Sequence, residues 1–92
     1  MKTFYKDPDA VLDYKFDWAA WLADASPDDT ISTSTLTVDS GLTKDSDTND
    51  TTEAIVWLSG GTAGNTYRVT NSIVTAAGRE QDRSIDIKVT ER

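Results

Sequence analysis

The side chains of this chain that could do chemistry are mainly carboxylates, and one polar segment holds several of them. Asp45, Asp47 and Asn49 alternate as the first three ligands of an EF-hand calcium loop do. That loop needs glycine at its sixth position and glutamate at its twelfth, where this chain has Asp50 and Val56. The segment therefore does not encode an EF-hand.

A looser cation site in the same segment stays open. Its ligands would be the carboxylates of Asp45, Asp47, Asp50 and Glu53. Because a run of acidic residues is more often a solvated surface than a metal site, we favour a polar, acidic loop over residues 44–53 with at most a weak edge strand. We assign no metal and no cofactor to the chain.

Catalytic groups of other kinds are missing from the sequence. There is no His and no Cys, which excludes His–Cys zinc sites, Ser-His-Asp and Cys-His nucleophiles, and disulfides. The glycine-rich residues 59–64 are not followed by Gly-Lys-Ser/Thr and lead into a strand, so they do not form a phosphate-binding loop. A chain of 92 residues also leaves little room for a cleft that desolvates one of two paired carboxylates. The sequence predicts no enzyme.

The charge of the chain is negative and unevenly distributed. Sixteen acidic and nine basic residues give a formal charge of −7, which argues against nucleic-acid binding, since phosphates require clustered Lys and Arg. Residues 1–60 hold 12 acids and 4 bases (−8), whereas residues 61–92 hold 4 acids and 5 bases (+1). If the two parts occupy different surfaces, head-to-tail packing of copies or a basic partner would suit that polarity.

Targeting signals are not evident. No segment approaches the roughly 20 apolar residues that span a bilayer, and the first eight residues lack the apolar core of a secretory signal. We therefore expect a protein made in the cytoplasm, with no membrane partner.

Hydrophobic alternation defines most of the elements. Leu12, Tyr14, Phe16 and Trp18 fall on one face of a strand whose other face is charged. The strands that we predict are 12–18, 30–39, 53–58, 66–75 and 83–90. The apolar residues of 30–39 change phase midway, which a bulge near 32–34 or an early loop end would equally reconcile. Between the strands we predict a turn at 26–29, a hairpin connection at 75–82, and a short helical turn that carries Trp18, Trp21 and Leu22 and is capped by Asp17.

These elements predict one domain over residues 1–92. Six or seven short strands with no helix long enough for a βαβ crossover indicate an all-β, antiparallel immunoglobulin-like β-sandwich of about seven strands with one short helical turn. Tyr67 comes two residues before the inward Val69 at the start of the penultimate strand. We interpret Tyr67 as a structural tyrosine corner, whose hydroxyl bonds back to loop backbone.

The remaining aromatic residues are candidates for the core or for a binding surface. Trp18 and Trp57 lie in buried-strand patterns, so we predict both in the core. Four residues lie outside the predicted strands and form the candidate interface: Phe4, Tyr5, Trp21 and Leu22. Phe4 and Tyr5 precede the first predicted strand and would fray unless docked, and Trp21 could also serve as a packing lid.

Several strings of the sequence resemble a known family. They are residues 6–14, 16–18, 21–22, 57–64, 67–69, 75–79 and 83–87, which together cover nearly the whole chain. In these strings the chain is similar to small virion structural proteins of tailed bacteriophages and prophages, often labelled phage fibre–tail adaptors. The resemblance implies a structural part of the virion that works in several copies.

The function that the resemblance implies is a non-enzymatic adaptor at the phage neck or tail. Its expected partners are other tail, neck or fibre proteins, and a homo-oligomer is possible under this hypothesis. The alternative is an immunoglobulin-like carbohydrate-binding module for adhesion, displayed on the virion, for which Trp21 is the only good aromatic candidate.

Overall fold

The computed structural model describes residues 2–24 and 28–91. Within them the chain forms seven strands and one short helix. In chain order these are β1 (Lys2–Lys6), β2 (Leu12–Asp17), α1 (Ala19–Ala23), β3 (Ile31–Val38), β4 (Leu42–Asn49), β5 (Glu53–Gly60), β6 (Thr66–Thr75) and β7 (Glu80–Val89). The turn predicted over residues 26–29 lies partly outside the described residues.

The strands form two sheets that face each other across one core. One sheet has the order β1-β7-β6-β3 and the other the order β2-β5-β4. The prediction of an all-β sandwich is confirmed, and the immunoglobulin-like assignment stays a prediction. One pair departs from the antiparallel expectation, because β1 runs parallel to β7. These strands come from opposite ends of the chain, so no short hairpin forces them to run antiparallel.

Alternation places the core as predicted along most strands. In β2, Tyr14 and Phe16 are buried and the residues between and after them are exposed. In β6, alternate residues from Tyr67 to Ile73 are buried. The predicted bulge in β3 is present as a register shift between Ile31 and Thr33, and it brings the two differently phased halves of this strand onto one buried face.

The segment predicted as an acidic loop is largely a strand. β4 covers Leu42–Asn49 and pairs with β5 through a register shift between Lys44 and Ser46. Its side chains are mostly polar and exposed because β4 is the edge of the three-stranded sheet. Backbone pairing with β5 overrides the low strand propensity of this sequence, and charges are common on edge strands because they discourage further pairing.

A buried lysine, Lys6, anchors strand β1 to the rest of the domain. Lys6 is fully buried, and its Nζ donates to the carbonyl oxygens of Asp7 at 2.9 Å and Gly60 at 2.8 Å. Desolvation lowers the pKa of the Lys6 ammonium below its usual value. Thr90 N–H donates to the Lys6 carbonyl oxygen at 2.9 Å. The amino-terminal strand is therefore docked at both its side chain and its backbone.

Helix α1 closes the core next to β2. Trp18 precedes it and is fully buried, and Leu22 on its inner side is 1% exposed. The Asp17 carboxylate accepts a hydrogen bond from Ala19 N–H at 3.0 Å, which satisfies one free donor of the first helical turn. This five-residue helix is the only one among the described residues, and no described helix is long and apolar enough to cross a membrane.

Candidate protein-binding surfaces

Trp57 lies on the outer face of the three-stranded sheet. The buried residues of β5 are Ala54, Val56 and Leu58, so strand alternation turns Ile55 and Trp57 away from the other sheet. Trp57 is 42% exposed. The prediction that it belongs to the core is therefore wrong. β5 is the central strand of its sheet, but the core covers only one of its two faces.

Other outward-facing residues of this sheet surround the indole. Asp13 of β2 stands opposite Trp57, and Ser46 of β4 is its partner on the other side. We call the outward set on β2 and β5 the Trp57 face, which consists of Asp13, Lys15, Asp17, Glu53, Ile55 and Trp57. Val11, which precedes β2 and has the outward phase of Asp13, is also exposed, at 55%. An exposed tryptophan with aliphatic neighbours is typical of a protein-contact surface.

The Trp57 face is acidic. It holds three carboxylates and one lysine, and that lysine, Lys15, lies with its Nζ 3.4 Å from Glu53 Oε2. Asp13 and Asp17 therefore remain without a balancing cation in the set. A further carboxylate borders the face, because Ser59 Oγ donates to Asp45 Oδ1 at 3.0 Å.

The outer face of the four-stranded sheet is chemically different. Its charges are balanced in part by the Arg68–Asp86 pair, at 3.6 Å between Nε and Oδ1. The hydroxyls of Thr70 and Ser84 bond to each other at 2.8 Å, and β3 adds a row of exposed threonines. The three-stranded sheet of β2, β4 and β5 holds five acidic and two basic residues, whereas β6 and β7 hold three of each. The charge is therefore uneven between the sheets, although β1 and β3, from the acidic part of the sequence, lie beside β6 and β7.

Strand β1 directs the two predicted interface aromatics in opposite directions. Phe4 packs partly buried against the core, with its ring centroid 5.2 Å from that of Tyr14 in an edge-to-face arrangement. Tyr5, the next residue, is 55% exposed. Of this pair, Tyr5 is the residue whose ring is open to solvent.

The other two predicted interface residues are packed against the domain itself. Leu22 belongs to the core, so its assignment to an exposed interface is corrected by its burial. Trp21 is half-buried, 5.5 Å from the Trp18 ring, and the Arg79 guanidinium covers one of its faces at 4.3 Å. Sugar stacking needs a free aromatic face, so the structure does not support the carbohydrate-binding alternative, which relied on Trp21.

Arg79 is part of a buried polar cluster around Asp29. The Asp29 carboxylate accepts hydrogen bonds from Thr30 N–H at 2.9 Å, Ala77 N–H at 3.2 Å and Arg79 Nε at 3.1 Å. These donors, together with the Thr75 hydroxyl, whose hydrogen bond is the largest cause, lower the pKa of Asp29 from 3.8 to about 2. The cluster ties the start of β3 to the β6–β7 connection, so its role is structural.

The four acidic residues considered for a cation have separate partners. Asp45 accepts from Ser59, and Asp47 accepts from Lys44 Nζ at 2.6 Å. Asp50 closes its own turn by accepting from the backbone N–H groups of residues 52 and 53 at 2.8 and 2.9 Å, which lowers its pKa. Among the residues of the described ranges, no three acidic side chains gather where they could hold a metal ion.

Tyr67 joins the end of β5 to the start of β6. Its Oη accepts a hydrogen bond from Thr62 N–H, five residues upstream, at 2.9 Å, and a longer one from Asn65 Nδ2 at 3.4 Å. These bonds to Oη lower the pKa of the phenol. This is the contact that the tyrosine-corner interpretation requires.

A groove of about 380 Å³ lies between the edge strands β1 and β2. Phe4, Phe16 and Ile85 are among its lining residues, together with the cations of Lys2, Lys15 and Arg83. These cations already have partners: Lys2 lies over the Phe4 ring, Lys15 pairs with Glu53, and Arg83 donates to the Asp17 carbonyl at 2.7 Å. The groove is therefore a weaker candidate for a docking site than the Trp57 face.

Trp57 is the functional candidate that sequence reasoning missed. The run of apolar residues in β5 has apolar side chains at both phases, which hides its alternation. A usable signal was present in the polar ends of the strand, because Glu53 and Ser59 have the same phase as Trp57. A polar residue at each end of one phase indicates the solvent face.

Comparison with known proteins identifies the family. The chain matches the family described as podophage GP4 fiber-tail adaptor protein gp77 over residues 6–88. No protein in the set of curated proteins matches it. The match covers most of the 92 residues, so the chain belongs to this family, as its sequence strings predicted.

Proposed function

We propose that this protein is a non-enzymatic structural component of a phage virion that joins a tail component to a fibre component by protein–protein contacts. The observation that carries the proposal is membership of a fiber-tail adaptor family over residues 6–88. An adaptor must bind two different proteins at once, and function has to be argued from surfaces as well as from fold.

The geometry supports two contacts of different chemistry. The Trp57 face is acidic and centred on an exposed indole, whereas the outer face of the four-stranded sheet is rich in hydroxyls and exposes Tyr5. Because the two sheets lie on opposite sides of one core, partners on these faces would not compete for space. Tyr5 remains a proposed contact residue on the second face.

The buried polar groups of the domain serve the fold under this proposal. Asp29 and Arg79 hold a loop connection, Tyr67 holds the β5–β6 corner, and Lys6 holds the amino-terminal strand. Rigid positioning of this kind suits a part that transmits force between a tail and a fibre.

The experiment that tests the function is deletion of this gene in the phage or prophage that encodes it. We expect particles that lack fibres when viewed by electron microscopy, and recovery of fibres when the purified protein is added. Complete, fibre-bearing particles made without the protein would contradict the proposal.

The proposal includes several copies of the protein in each virion. Size-exclusion chromatography with light scattering at about 0.15 M salt separates a closed oligomer from the 10.1 kDa monomer. A closed oligomer would mean that the protein sets its own copy number. A monomer would mean that the symmetry of the tail partner sets it.

A further inference from the structure

We propose that the Trp57 face binds a partner protein whose surface carries Arg or Lys side chains around an apolar site for the Trp57 indole. This inference rests on the adaptor function proposed above and assigns the chemistry of one of the two partners.

The Trp57 side chain is exposed at the centre of the three-stranded sheet. β5 pairs with β2 on one side and β4 on the other, so Trp57 stands in the middle of a complete three-stranded face rather than at a frayed edge. Tryptophan at the centre of an interface is the residue type most enriched among those that carry binding energy. Ile55 beside it on β5 and the exposed Val11, which has the phase of Asp13, extend the apolar area.

The residues around the Trp57 indole carry an excess of negative charge. Asp13 stands directly opposite Trp57, and the adjoining Lys15 already has Glu53 as its partner. A face with an excess of carboxylates attracts a basic surface and speeds its encounter. A cation placed over the indole would add a cation–π contact. Arg and Lys are therefore the side chains that fit this face.

The same charges argue against a second copy of the chain as the occupant. The Trp57 face holds three carboxylates and one lysine, so two such faces pressed together would each bring a net charge of −2, and like charges disfavour association. The whole chain carries a formal charge of −7, which adds to that repulsion. A different, basic protein is therefore the occupant that these charges favour, and light scattering tests for a second copy in its place.

The test adds purified protein separately to phage particles that were assembled without it and to isolated fibres of the same phage. Co-sedimentation with each preparation measures binding, at several NaCl concentrations. The main variants are Trp57→Thr, which keeps strand propensity but removes the ring, and Asp13→Lys, which reverses the nearest charge. Trp57→Phe keeps an aromatic ring. Matched controls outside both sheet faces are Ala76→Thr for an exposed apolar residue and Asp24→Lys for a charge reversal.

We expect Trp57→Thr and Asp13→Lys each to weaken binding to the same one of the two preparations by at least about tenfold, and Trp57→Phe to bind within a few-fold of the wild type. Wild-type binding should weaken as salt rises, and the dependence should be shallower in Asp13→Lys. The two controls should bind like the wild type. Thermal unfolding followed by circular dichroism establishes that each variant is folded.

The inference is overturned if the wild type binds and Trp57→Thr and Asp13→Lys bind both preparations as well as the wild type does, and the adaptor function would then still stand. It is also overturned if light scattering shows wild-type oligomers that Trp57→Thr dissociates, because a second copy would then occupy the face. If the wild type binds neither preparation, the adaptor function fails and this inference fails with it.

Discussion

The indole Nε1–H of Trp18 donates a hydrogen bond of 2.8 Å to Oδ1 of Asn71, and both side chains are fully buried. Trp18 follows β2 of one sheet and Asn71 lies in β6 of the other, so this bond joins the two layers of the sandwich. The Asn71 amide in turn donates to Ser34 Oγ at 2.8 Å. A polar pair at the centre of an apolar core restricts how the sheets can sit on each other.

Replacing Asn71 should therefore destabilise the domain. Asn71→Leu keeps a similar volume but leaves the Trp18 N–H buried without an acceptor, which costs about 1–3 kcal/mol in the free energy of unfolding. Urea denaturation followed by tryptophan fluorescence measures this. Asn49→Leu, at an exposed position of β4, is the control and should change stability by less than about 0.5 kcal/mol. Equal stabilities for the two variants would show that the buried bond contributes nothing.

Substitutions at two loop glycines distinguish the effect of backbone strain on stability from the effect of steric contact. Gly61 and Gly64 both have positive φ, at +91° and +92°. A Cβ on Gly61 would lie 2.7 Å from Val89 Cγ2, whereas one on Gly64 meets nothing within 4 Å. We expect Gly64→Ala to lower the free energy of unfolding by about 1 kcal/mol through backbone strain alone. Gly61→Ala should cost about 2–4 kcal/mol, because displacement of core atoms adds to that strain. Similar losses in a urea titration would contradict this explanation.

The Asp29 cluster predicts a loss of stability in acid. The folded-state pKa of Asp29 is about 2, below its ordinary 3.8, so between these values the unfolded state binds more protons than the folded state. The contribution of Asp29 is therefore complete above about pH 4 and is lost as the pH falls towards 2. Asp29→Asn should be less stable than the wild type at pH 7 and should lose less stability across that window.

Thermal unfolding at pH 7, 4, 3 and 2 measures this effect. Asp24→Asn, at an exposed position after α1, is the control and should follow the wild-type curve. Parallel pH curves for the wild type and Asp29→Asn would show that Asp29 is not the group responsible.

The Tyr67 hydroxyl should stabilise the β5–β6 corner. Tyr67→Phe keeps the ring and removes the acceptor of the Thr62 N–H, so we expect a lower Tm than that of the wild type. Tyr5→Phe, which removes a hydroxyl from an exposed ring, should leave the Tm unchanged. If the two variants unfold at the same temperature, the corner contributes no stability.

Strand prediction succeeded where side-chain type alternated and failed where it did not. β6 was predicted with its observed bounds because polar and apolar residues alternate along it. β4 was predicted as an acidic loop with at most a weak edge strand because its residues are polar on both faces, and its full pairing with β5 became visible only in the structure. The β1–β7 pair was missed for another reason, since a parallel contact between the two ends of the chain leaves no local sequence signal.

The candidate site was predicted less well than the fold. Tyr67 has the backbone contact that its interpretation requires, and Tyr5 is exposed as expected. Leu22 proved to be core, Trp21 is covered by Arg79, and Trp57 faces outward. Whether a strand residue is exposed depends on which of the two alternating sets of side chains faces the opposing sheet. Where both sets are apolar, as in β5, the sequence does not show which set is buried.

By itself, the sequence determined the class of this protein: a small all-β domain with no His or Cys chemistry, and a family whose strings extend along the chain. Those properties depend on composition, on the local alternation of polar and apolar residues, and on similarity of short sequence motifs. All three can be recognised from residues that are neighbours in the sequence. Tertiary structure alone decided that Trp57 stands among Asp13, Lys15 and Glu53 on an open face, and that Trp18 meets Asn71 in the core. Lys15 and Glu53 are 38 positions apart and lie on paired strands, and Trp18 and Asn71 are 53 positions apart and lie in opposite layers. Only strand pairing and the packing of the sheets bring these residues together.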